Sequence, residues 1–554
     1  MKLIECVPNF SEGRDPSVID AITGAITATE GAVLLDVDPG AATNRTVVTF
    51  VGSPEAVEEA AFQAIRTAAA LIDMTKHHGE HPRMGATDVC PFVPLQNVTM
   101  DECVALARRL GRRVGEELGI PVFLYEAAAV DQVRGSLAVV RRGEYEGLSD
   151  RTDPPDFGPG DFNPRSGATA IGAREFLIAY NINLNTRDRR LANRIAGVLR
   201  ETGRPRRDET GAIVREADGT PIREPGIFKE LRGVGWYIEE YGRAQLSFNL
   251  TNHKVTSLHE VFDAACREAE ALGLRVTGSE LVGLVPRDAL LEAGDHYLTR
   301  QGATTGVAES ERIHAAVLSL GLDDLAPFDP AAKVIEYRYA GTPTGLVART
   351  VIGFVDVLSS DSPAPGGGSV AALCGSLSAG LSAMIAALTF GKKGMEESRE
   401  AMEDLGRRAQ ALKDWFLQAV DRDTDAFNQV LTAMRMPKTT DVDITARVEA
   451  IEAANQQATG VPLEVLERAV EALELALMVA RDGNPNAVTD AGVAGACALA
   501  AAEGAAFNVR INLKSATDLS WAGTAESAAA DLIERCRALS AEVRETVETA
   551  LSGS

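Results

Sequence analysis

Three of the seven histidines in this 554-residue chain lie within five positions, at His77, His78 and His81. Histidine has an unperturbed pKa of about 6.5, which suits proton transfer near neutral pH. Gly79 and Pro82 interrupt any regular period here, so the segment predicts a loop between a helix and a strand. Such loops often carry a titratable group that faces a substrate. The cluster therefore indicates general acid–base chemistry, with a surface loop carrying incidental histidines as the alternative.

His77, Glu80 and His81 also match the H-x-x-E-H pattern of some zinc peptidases. That pattern requires a helix, on which residues four apart share a face. Gly79 and Pro82 argue against a continuous helix, because proline disfavours the α region at the residue before it. We therefore expect no metal in this loop.

The composition limits the classes of partner. The formal net charge of −24 makes nucleic acid and anionic membranes unfavourable partners. The seven cysteines include no C-x-x-C pair, which is typical of reduced thiols in the cytoplasm. Residues 370–390 form the one apolar run of nearly membrane-spanning length, but its repeated small residues favour close helix packing. We expect a cytoplasmic protein with no membrane span.

The secondary-structure pattern changes once along the chain. The first 125 residues follow the order βαββαβ, which predicts a ferredoxin-like α+β sheet, and a similar region begins at residue 176. Residues 151–172 are predicted as loop and 333–337 as a short closing strand. Beyond residue 346 the pattern predicts six helices in an all-α bundle. The predicted domains are two α/β subdomains at 1–175 and 176–339, a linker at 340–346 and a helical domain at 347–554.

The histidine loop is one of several motifs in a fixed order. Residues 6–13 read CVPNFSEG, residues 36–40 read DVDPG, and residues 43–46 read TNRT. With residues 77–88, HHGEHPRMGATD, they resemble the transferase half of formiminotransferase-cyclodeaminase, a bifunctional folate enzyme family of histidine breakdown. The resemblance implies that His81 is the catalytic histidine of the transferase.

A glycine-rich stretch is similar to the folate-contacting segment of that family. Glycines let backbone N–H groups and flat rings approach closely. Arg165 and Arg174 could supply the positive charge that an anionic folate needs. A turn between two subdomains is the alternative. The expected folate contacts are Pro164, Arg165, Ser166, Gly167, Ala168 and Thr169.

Three charged residues are candidates for holding the donor. Arg45 and Arg83 could bind the two carboxylates of a glutamate-type donor, since guanidinium groups pair bidentately with carboxylate. Surface ion pairing is the alternative for both. Asp38 could pair with His81 or with a cationic formimino group.

The second half carries its own set of motifs. Residues 363–370, PAPGGGSV, precede a predicted helix, and a glycine-rich turn at a helix N-terminus can bind an anion or a carbonyl oxygen. The alternative is that the glycines let helices touch, with Ser369 as the N-cap. In order with later motifs the segment resembles the cyclodeaminase/cyclohydrolase domain. That resemblance implies a site built from Gly366, Gly367, Gly368, Ser369, Lys392, Asp423 and Arg510.

Three aspartates alternate along one predicted helix, at Asp421, Asp423 and Asp425. Each step of two residues turns about 200°, so they cannot all face one pocket. The family pattern picks Asp423 as the catalytic carboxylate, and Asp421 and Asp425 are expected to face solvent or basic neighbours. An inward Asp423 near Lys392 or Arg510 would be held ionised as a base.

The resemblance implies two reactions. A formimino group passes from N-formimino-L-glutamate to tetrahydrofolate, and the product cyclises to 5,10-methenyltetrahydrofolate with release of ammonia. Tetrahydrofolate is a co-substrate, with a polyglutamate tail expected, and no metal is needed. The alternatives are a methenyltetrahydrofolate cyclohydrolase activity in the second half, or a non-catalytic folate-binding scaffold. The small-residue helix favours a homo-oligomer.

Overall fold

The computed structural model describes residues 2–41, 43–79, 81–341 and 345–553, with only the backbone of Gln132. The chain divides into two compact units, one of Met1–Ala293 with Val317–Gly341 and one of Gly294–Ala316 with Thr342–Ser554. The first unit contains both main sheets and the second is helical, as the sequence predicts. The domain boundaries stay predictions, and residues 342–344 of the expected linker lie outside the described residues.

A seven-stranded sheet organises the beginning of the first unit. Its order is β3-β4-β1-β5-β7-β6, with β2 paired between β4 and β5. The pairs among β3, β4, β1 and β5 are antiparallel, whereas β7 runs parallel to both β5 and β6. The elements are β1 (Leu3–Cys6), β2 (Asn9–Phe10), α1 (Pro16–Thr27), β3 (Ala32–Gly40), β4 (Arg45–Gly52), α2 (Pro54–Leu71), β5 (Thr87–Gln96), α3 (Met100–Leu118), β6 (Val122–Glu126), α4 (Leu137–Val140) and β7 (Thr169–Ala173).

The helices over this sheet begin at side-chain caps that the sequence makes visible. Asp15, Ser53 and Thr99 each accept a backbone N–H at the start of α1, α2 and α3. Their apolar faces cover one side of the sheet and form a core that includes Phe50, Phe92 and the helix α2 alanines. The other side of the sheet is left for polar groups and a cleft.

A second, four-stranded sheet has the antiparallel order β11-β12-β8-β13. The elements from here to residue 340 are β8 (Ile178–Leu184), α5 (Arg189–Leu199), β9 (Arg204–Pro205), β10 (Arg223–Glu224), β11 (Leu231–Ile238), β12 (Arg243–Leu250), α6 (Leu258–Ala271), β13 (Val276–Val282), α7 (Arg287–Arg300), α8 (Glu309–Leu320), α9 (Pro330–Lys333) and α10 (Ile335–Ala340).

The second unit contains the six helices that the sequence predicts after residue 346. They are α11 (Val351–Leu358), α12 (Gly367–Phe390), α13 (Arg399–Met434), α14 (Asp441–Asp482), α15 (Val488–Leu513) and α16 (Leu519–Ser552). Helix α12 lies at the centre, where its buried alanines and serines let neighbouring helices approach closely. Gly375 illustrates this, since a methyl group there would lie 2.5 Å from the Phe416 ring.

Two details of the predicted secondary structure are wrong. Residues 333–337 are not a strand, because Asp329 caps a helix that begins at Pro330, and only Val334 makes a β-bridge, with Val285. Strand β7 begins inside the segment predicted as loop. Its Thr, Ala and Gly residues have weak strand propensity alone, and pairing with β5 and β6 on both sides fixes it.

Among the described residues, two helical segments, rather than the one that the sequence singled out, are long and apolar enough to span a membrane. They are Gly367–Phe390 and Pro485–Leu513. About half of each apolar window is buried in the fold, 56% and 44% respectively, as in core helices of soluble proteins. The expected absence of a membrane span stays a prediction.

Candidate active sites

Asn44 holds the histidine loop in place. Its Oδ1 accepts the backbone N–H of Gly13 at 3.0 Å, and its Nδ2 donates to the carbonyl of His78 at 3.1 Å. Its own carbonyl lies 2.8 Å from Nε2 of His77. Asn44 adopts a positive φ of 47°, a conformation that asparagine tolerates better than most residues. One residue therefore ties together the three motifs at residues 6–13, 43–46 and 77–88.

His81 is half-buried and its tautomer is set by its neighbour. Its Nδ1 lies 2.6 Å from the carbonyl oxygen of Pro82, which can only accept, so Nδ1 carries the proton and Nε2 keeps its lone pair. Burial lowers the pKa of His81 below its usual value, and the charges of Arg45 and Arg141 lower it further. The imidazole is thereby held neutral near pH 7 with a free basic nitrogen.

A buried ion pair underlies this loop. The fully buried Asp88 pairs with Arg141, whose Nε donates to Oδ1 at 3.3 Å, and the same Oδ1 accepts the backbone N–H of Met84. Arg45 donates to Oδ1 of Asn9, and its buried Nε has no hydrogen-bond partner among the described residues. Burial lowers the pKa of Arg45. An unpaired guanidinium N–H is a donor left for a ligand.

The glycine-rich stretch lies directly against the end of the histidine loop. Ala168 N–H donates to the Met84 carbonyl at 3.0 Å, and Ala86 N–H donates to the Ser166 carbonyl at 2.8 Å. Gly167 has a positive φ of 66°, and a methyl group there would lie 2.2 Å from the Met84 oxygen. The two motifs that the sequence singled out separately are therefore brought together.

Pro164 and Arg165, at the start of that stretch, contact other parts of the chain. The carbonyl of Pro164 accepts the Tyr145 hydroxyl at 2.6 Å, and Arg165 donates to the carbonyl of Ala70 at 2.7 Å. Thr169 is buried at the start of β7, and its Oγ1 has no hydrogen-bond partner among the described residues.

Arg83 is already paired in this structure. Its Nη2 and Nη1 contact the two carboxylate oxygens of Glu146 at 2.6 and 2.8 Å, and Glu144 lies 3.4 Å away. Hydrogen bonding to Glu146 raises the pKa of Arg83. A donor carboxylate could bind Arg83 only by displacing Glu146, a partner that the sequence did not predict.

The zinc-peptidase interpretation finds no support in the geometry. Residues 77–79 and 81–86 are not helical. Both ring nitrogens of His77 are occupied, Nε2 by the Asn44 carbonyl and Nδ1 by Arg83 Nε at 3.3 Å. Across the four described ranges, no group of three His, Cys, Asp or Glu side chains could hold a metal ion. Glu80 lies outside the described residues, and the absence of metal stays a prediction.

A cleft of about 750 Å³ lies over the open face of the first sheet and is large enough for a bicyclic ring with substituents. Asp38, Arg45 and Arg141 line it. The histidine loop lies near this end of the cleft, because His77 and His78 contact Asn44, the neighbour of Arg45. The charges of Arg45 and Arg141 also lower the pKa of His81. Glu5 and Arg174 line the same cleft.

Asp423 occupies the second candidate site, at the N-terminus of α12. Its Oδ2 accepts the Ser369 hydroxyl at 3.0 Å. Burial raises the pKa of Asp423, while the hydroxyl and backbone N–H of Ser369 oppose that rise. A methyl group at Gly368 would lie 2.1 Å from Oδ1, so only glycine leaves room for the carboxyl here. The anion that this helix terminus binds is therefore the protein's own carboxylate.

The capping alternative for Ser369 is wrong. The N-cap is Gly366, and Ser369 is the third helical residue with its hydroxyl directed to Asp423. Asp421 is partly exposed, and its carboxylate accepts the backbone N–H of Leu346 at 2.6 Å, a partner that the sequence did not predict. Asp425 is exposed, as expected.

The two predicted cations of this site differ in position. Lys392 follows the other end of α12, and at 1.5 Å per residue the 23 positions from Ser369 span roughly 35 Å. Its Nζ contacts Oδ1 of Asn484, so Lys392 and Asp423 are not brought together within one chain. Arg510 lies near the Gly366–Gly368 end, since Asn508 Nδ2 would be 3.5 Å from a methyl group at Gly367. Its guanidinium lies back along its own helix, over Phe507.

The comparisons with known proteins cover nearly the whole chain. Residues 3–174 match the "Formiminotransferase domain, N-terminal subdomain", residues 179–340 the "Formiminotransferase domain" and residues 350–531 "Formiminotransferase-cyclodeaminase".

Curated relatives match over the same length. The chain is 43% identical to a formimidoyltransferase-cyclodeaminase of Sus scrofa over 99% of both chains, and 45% identical to that of Mus musculus over 93% of both. A methenyltetrahydrofolate cyclohydrolase of Methylorubrum extorquens is 35% identical over 36% of this chain and 97% of its own. This chain belongs to the formiminotransferase-cyclodeaminase family.

Proposed function

We propose that the chain is a bifunctional folate enzyme of histidine degradation. It transfers the formimino group of N-formimino-L-glutamate to tetrahydrofolate and then closes the product to 5,10-methenyltetrahydrofolate, releasing ammonia. The observation that carries the proposal is the match to a bifunctional relative over 99% of both chains. Each half also has one acid–base side chain where its motifs meet, His81 and Asp423.

In the transferase step, N5 of tetrahydrofolate attacks the formimino carbon. Nε2 of His81 accepts the N5 proton and returns it to the glutamate nitrogen as the bond from that nitrogen to carbon breaks. The lowered pKa of His81 supports this role, since the base must be neutral before attack. Products are glutamate and 5-formiminotetrahydrofolate, and no other proton is consumed.

In the cyclodeaminase step, N10 attacks the same carbon, whose imino nitrogen enters protonated. Asp423 takes the N10 proton and passes it to the departing nitrogen, which leaves as ammonia. Burial raises the pKa of Asp423, and this brings the carboxyl closer to a value at which it both accepts and donates a proton near neutrality.

The roles of individual residues in substrate binding are also proposals. Arg45, with its unpaired Nε, is our candidate for a donor carboxylate, and Asp38 for the formimino cation. Arg83 could join Arg45 after Glu146 is displaced. Residues 164–169 would contact the folate, and Gly366–Ser369 with Arg510 would frame the second site. We also propose a polyglutamylated substrate and no metal.

We propose self-association and a cytoplasmic location. The observation behind self-association is the exposure of large apolar side chains on α12 and α15, where Leu377, Leu388, Phe507 and Ile511 are each more than half exposed. Exposed apolar side chains of this kind suit contact with a second copy of the chain. The 2-3-1-4 order of the βαββαβ strands in both sheets supports the ferredoxin-like classification of the two subdomains.

A second candidate concerns the helical unit alone. The relative from Methylorubrum extorquens favours methenyltetrahydrofolate cyclohydrolase activity there. Adding 5,10-methenyltetrahydrofolate and following its hydrolysis separates this activity from ammonia release.

The test is a coupled assay with N-formimino-L-glutamate and tetrahydrofolate that measures glutamate and ammonia separately. We expect His81→Ala to lower glutamate release by roughly 10²–10⁴-fold. His78→Ala, in the same loop, is the matched control. If wild type releases neither product while binding folate, the chain is a scaffold and the proposal is wrong.

A further inference from the structure

Glu5 is a buried carboxyl that the transferase mechanism does not use. It lies in β1, is 3% exposed, and lines the 750 Å³ cleft. Burial raises its pKa to about 7. Within the described part of the chain, no group donates a hydrogen bond to its carboxyl. A carboxyl that is buried without a donor, yet faces a cleft, is a binding group for a ligand that brings donors.

The cleft around Glu5 combines apolar walls with the nearby guanidinium of Arg174. Its walls include Val47, Val89, Pro91 and Leu177. Arg174 acts on Glu5 electrostatically and uses Nη1 to donate to the Glu175 carbonyl at 2.9 Å, which leaves its other N–H groups for a ligand. The other charged groups that line the cleft or act on Glu5 are Asp36, Asp38, Arg45, Glu126, Arg141, Glu175, Glu230, Arg232 and Glu336.

We propose that Glu5 is the residue that recognises the pterin ring, through the 2-amino group and N3–H of its pyrimidine edge, with Arg174 donating to the neighbouring O4. This inference rests on the transferase function proposed above and names a contact for its folate substrate. The edge presents two adjacent donors followed by an acceptor. The carboxylate of Glu5 and the guanidinium of Arg174 present the complementary pattern.

The position of Glu5 along the cleft favours the pterin edge over the formimino cation. Asn9, which contacts Arg45, is four residues further along the sheet floor, roughly 13 Å at the rise of a strand. His81 belongs to the loop that Asn44 holds at the Arg45 end, where N5 must react. A ring whose N5 is at that end extends its pyrimidine edge away from it, toward Glu5. The donor carbon, which must stay at N5, is out of reach of Glu5.

The test compares full-length wild type, Glu5→Gln and the matched surface control Glu116→Gln. Each is titrated with tetrahydrofolate and with its 2-desamino analogue, without donor, so that the readout does not depend on turnover. The helical unit contributes the same background binding in all three. We expect Glu5→Gln to weaken the tetrahydrofolate site of the first unit by roughly 10–100-fold, the effect of losing a hydrogen bond to a charged group. Wild type should reject the analogue by a similar factor, and Glu5→Gln should not.

Three outcomes would overturn the inference. Unchanged tetrahydrofolate affinity in Glu5→Gln would make Glu5 a structural residue. A raised KM for formiminoglutamate alone would assign it to the donor. Equal binding of both ligands by wild type would exclude pyrimidine-edge recognition, and this arm needs no variant. If wild type binds and discriminates the two ligands but releases no glutamate from the donor, the proposed function fails while the Glu5 contact stands.

Discussion

Gly368 gives the sharpest test of the Asp423 site, because the perturbation is one methyl group. In Gly368→Ala the new Cβ would lie 2.1 Å from Oδ1 and 2.7 Å from Oδ2 of Asp423. Non-bonded carbon and oxygen atoms need more than 3 Å, so the carboxyl must move by about 1 Å. A displacement of that size at a catalytic group costs roughly 10²-fold in rate. We therefore expect ammonia release to fall about 100-fold.

The assay supplies 5-formiminotetrahydrofolate directly and follows ammonia, with glutamate release from the donor measured in parallel. Gly380→Ala is the matched control. It lies in the same helix, has no atom within 4 Å of the added methyl group, and gains helix propensity. Glutamate release should be unchanged in both variants. Full ammonia release by Gly368→Ala would refute the argument, since Asp423 would then tolerate displacement from Ser369.

Three further predictions concern the first unit. The acid limb of kcat/KM for glutamate release should lie below pH 6.5, because His81 must be neutral and its pKa is lowered. Arg141→Gln removes a positive charge that lowers the pKa of His81, so it should move that limb to higher pH. An unmoved limb would contradict the assignment of His81 as the base. Asn44→Ala should lose about 2–4 kcal/mol of unfolding free energy in denaturant titrations, from two hydrogen bonds and a positive φ, and should slow glutamate release but not ammonia release from supplied intermediate. Glu5 has a pKa of about 7 in the folded state against the usual 4.5, so its ionisation lowers the unfolding free energy between pH 4.5 and 7, by about 3 kcal/mol above pH 7. In denaturant titrations Glu5→Gln should therefore be more stable than wild type at pH 8 and about equal to it at pH 4.5. A stability difference that does not change with pH would contradict this.

Local patterns were sufficient to predict most elements of the fold. The helix α3 could be predicted from its Thr99 cap and its apolar period, and β1 from its short apolar run. The predictions that failed concern residues whose hydrogen-bond partners are distant in sequence. Strand β7 forms because two neighbours supply its hydrogen bonds, and the Asp421 carboxylate accepts a hydrogen bond from a backbone group 75 positions away.

The candidate sites could be predicted only where a sequence motif marks their residues. The sequence singled out His81, Asp423 and the 164–169 stretch as candidates, whereas it did not predict the Glu146 partner of Arg83 or the Arg141 partner of Asp88. Ion pairs between residues distant in sequence have no local signal, since charged residues are common throughout this acidic chain. Glu5 did have a local signal in the sequence, because an acidic residue within the all-buried strand Leu3–Cys6 is unusual.

The central claim is that the two reactions use separate proton-transfer groups, and supplying the intermediate tests it most directly. His81→Ala given 5-formiminotetrahydrofolate should release ammonia at the wild-type rate while failing to release glutamate from N-formimino-L-glutamate. Asp423→Ala should release glutamate at the wild-type rate and form ammonia slowly from either starting point. Loss of ammonia release in His81→Ala with the intermediate supplied, or loss of glutamate release in Asp423→Ala, would contradict the account.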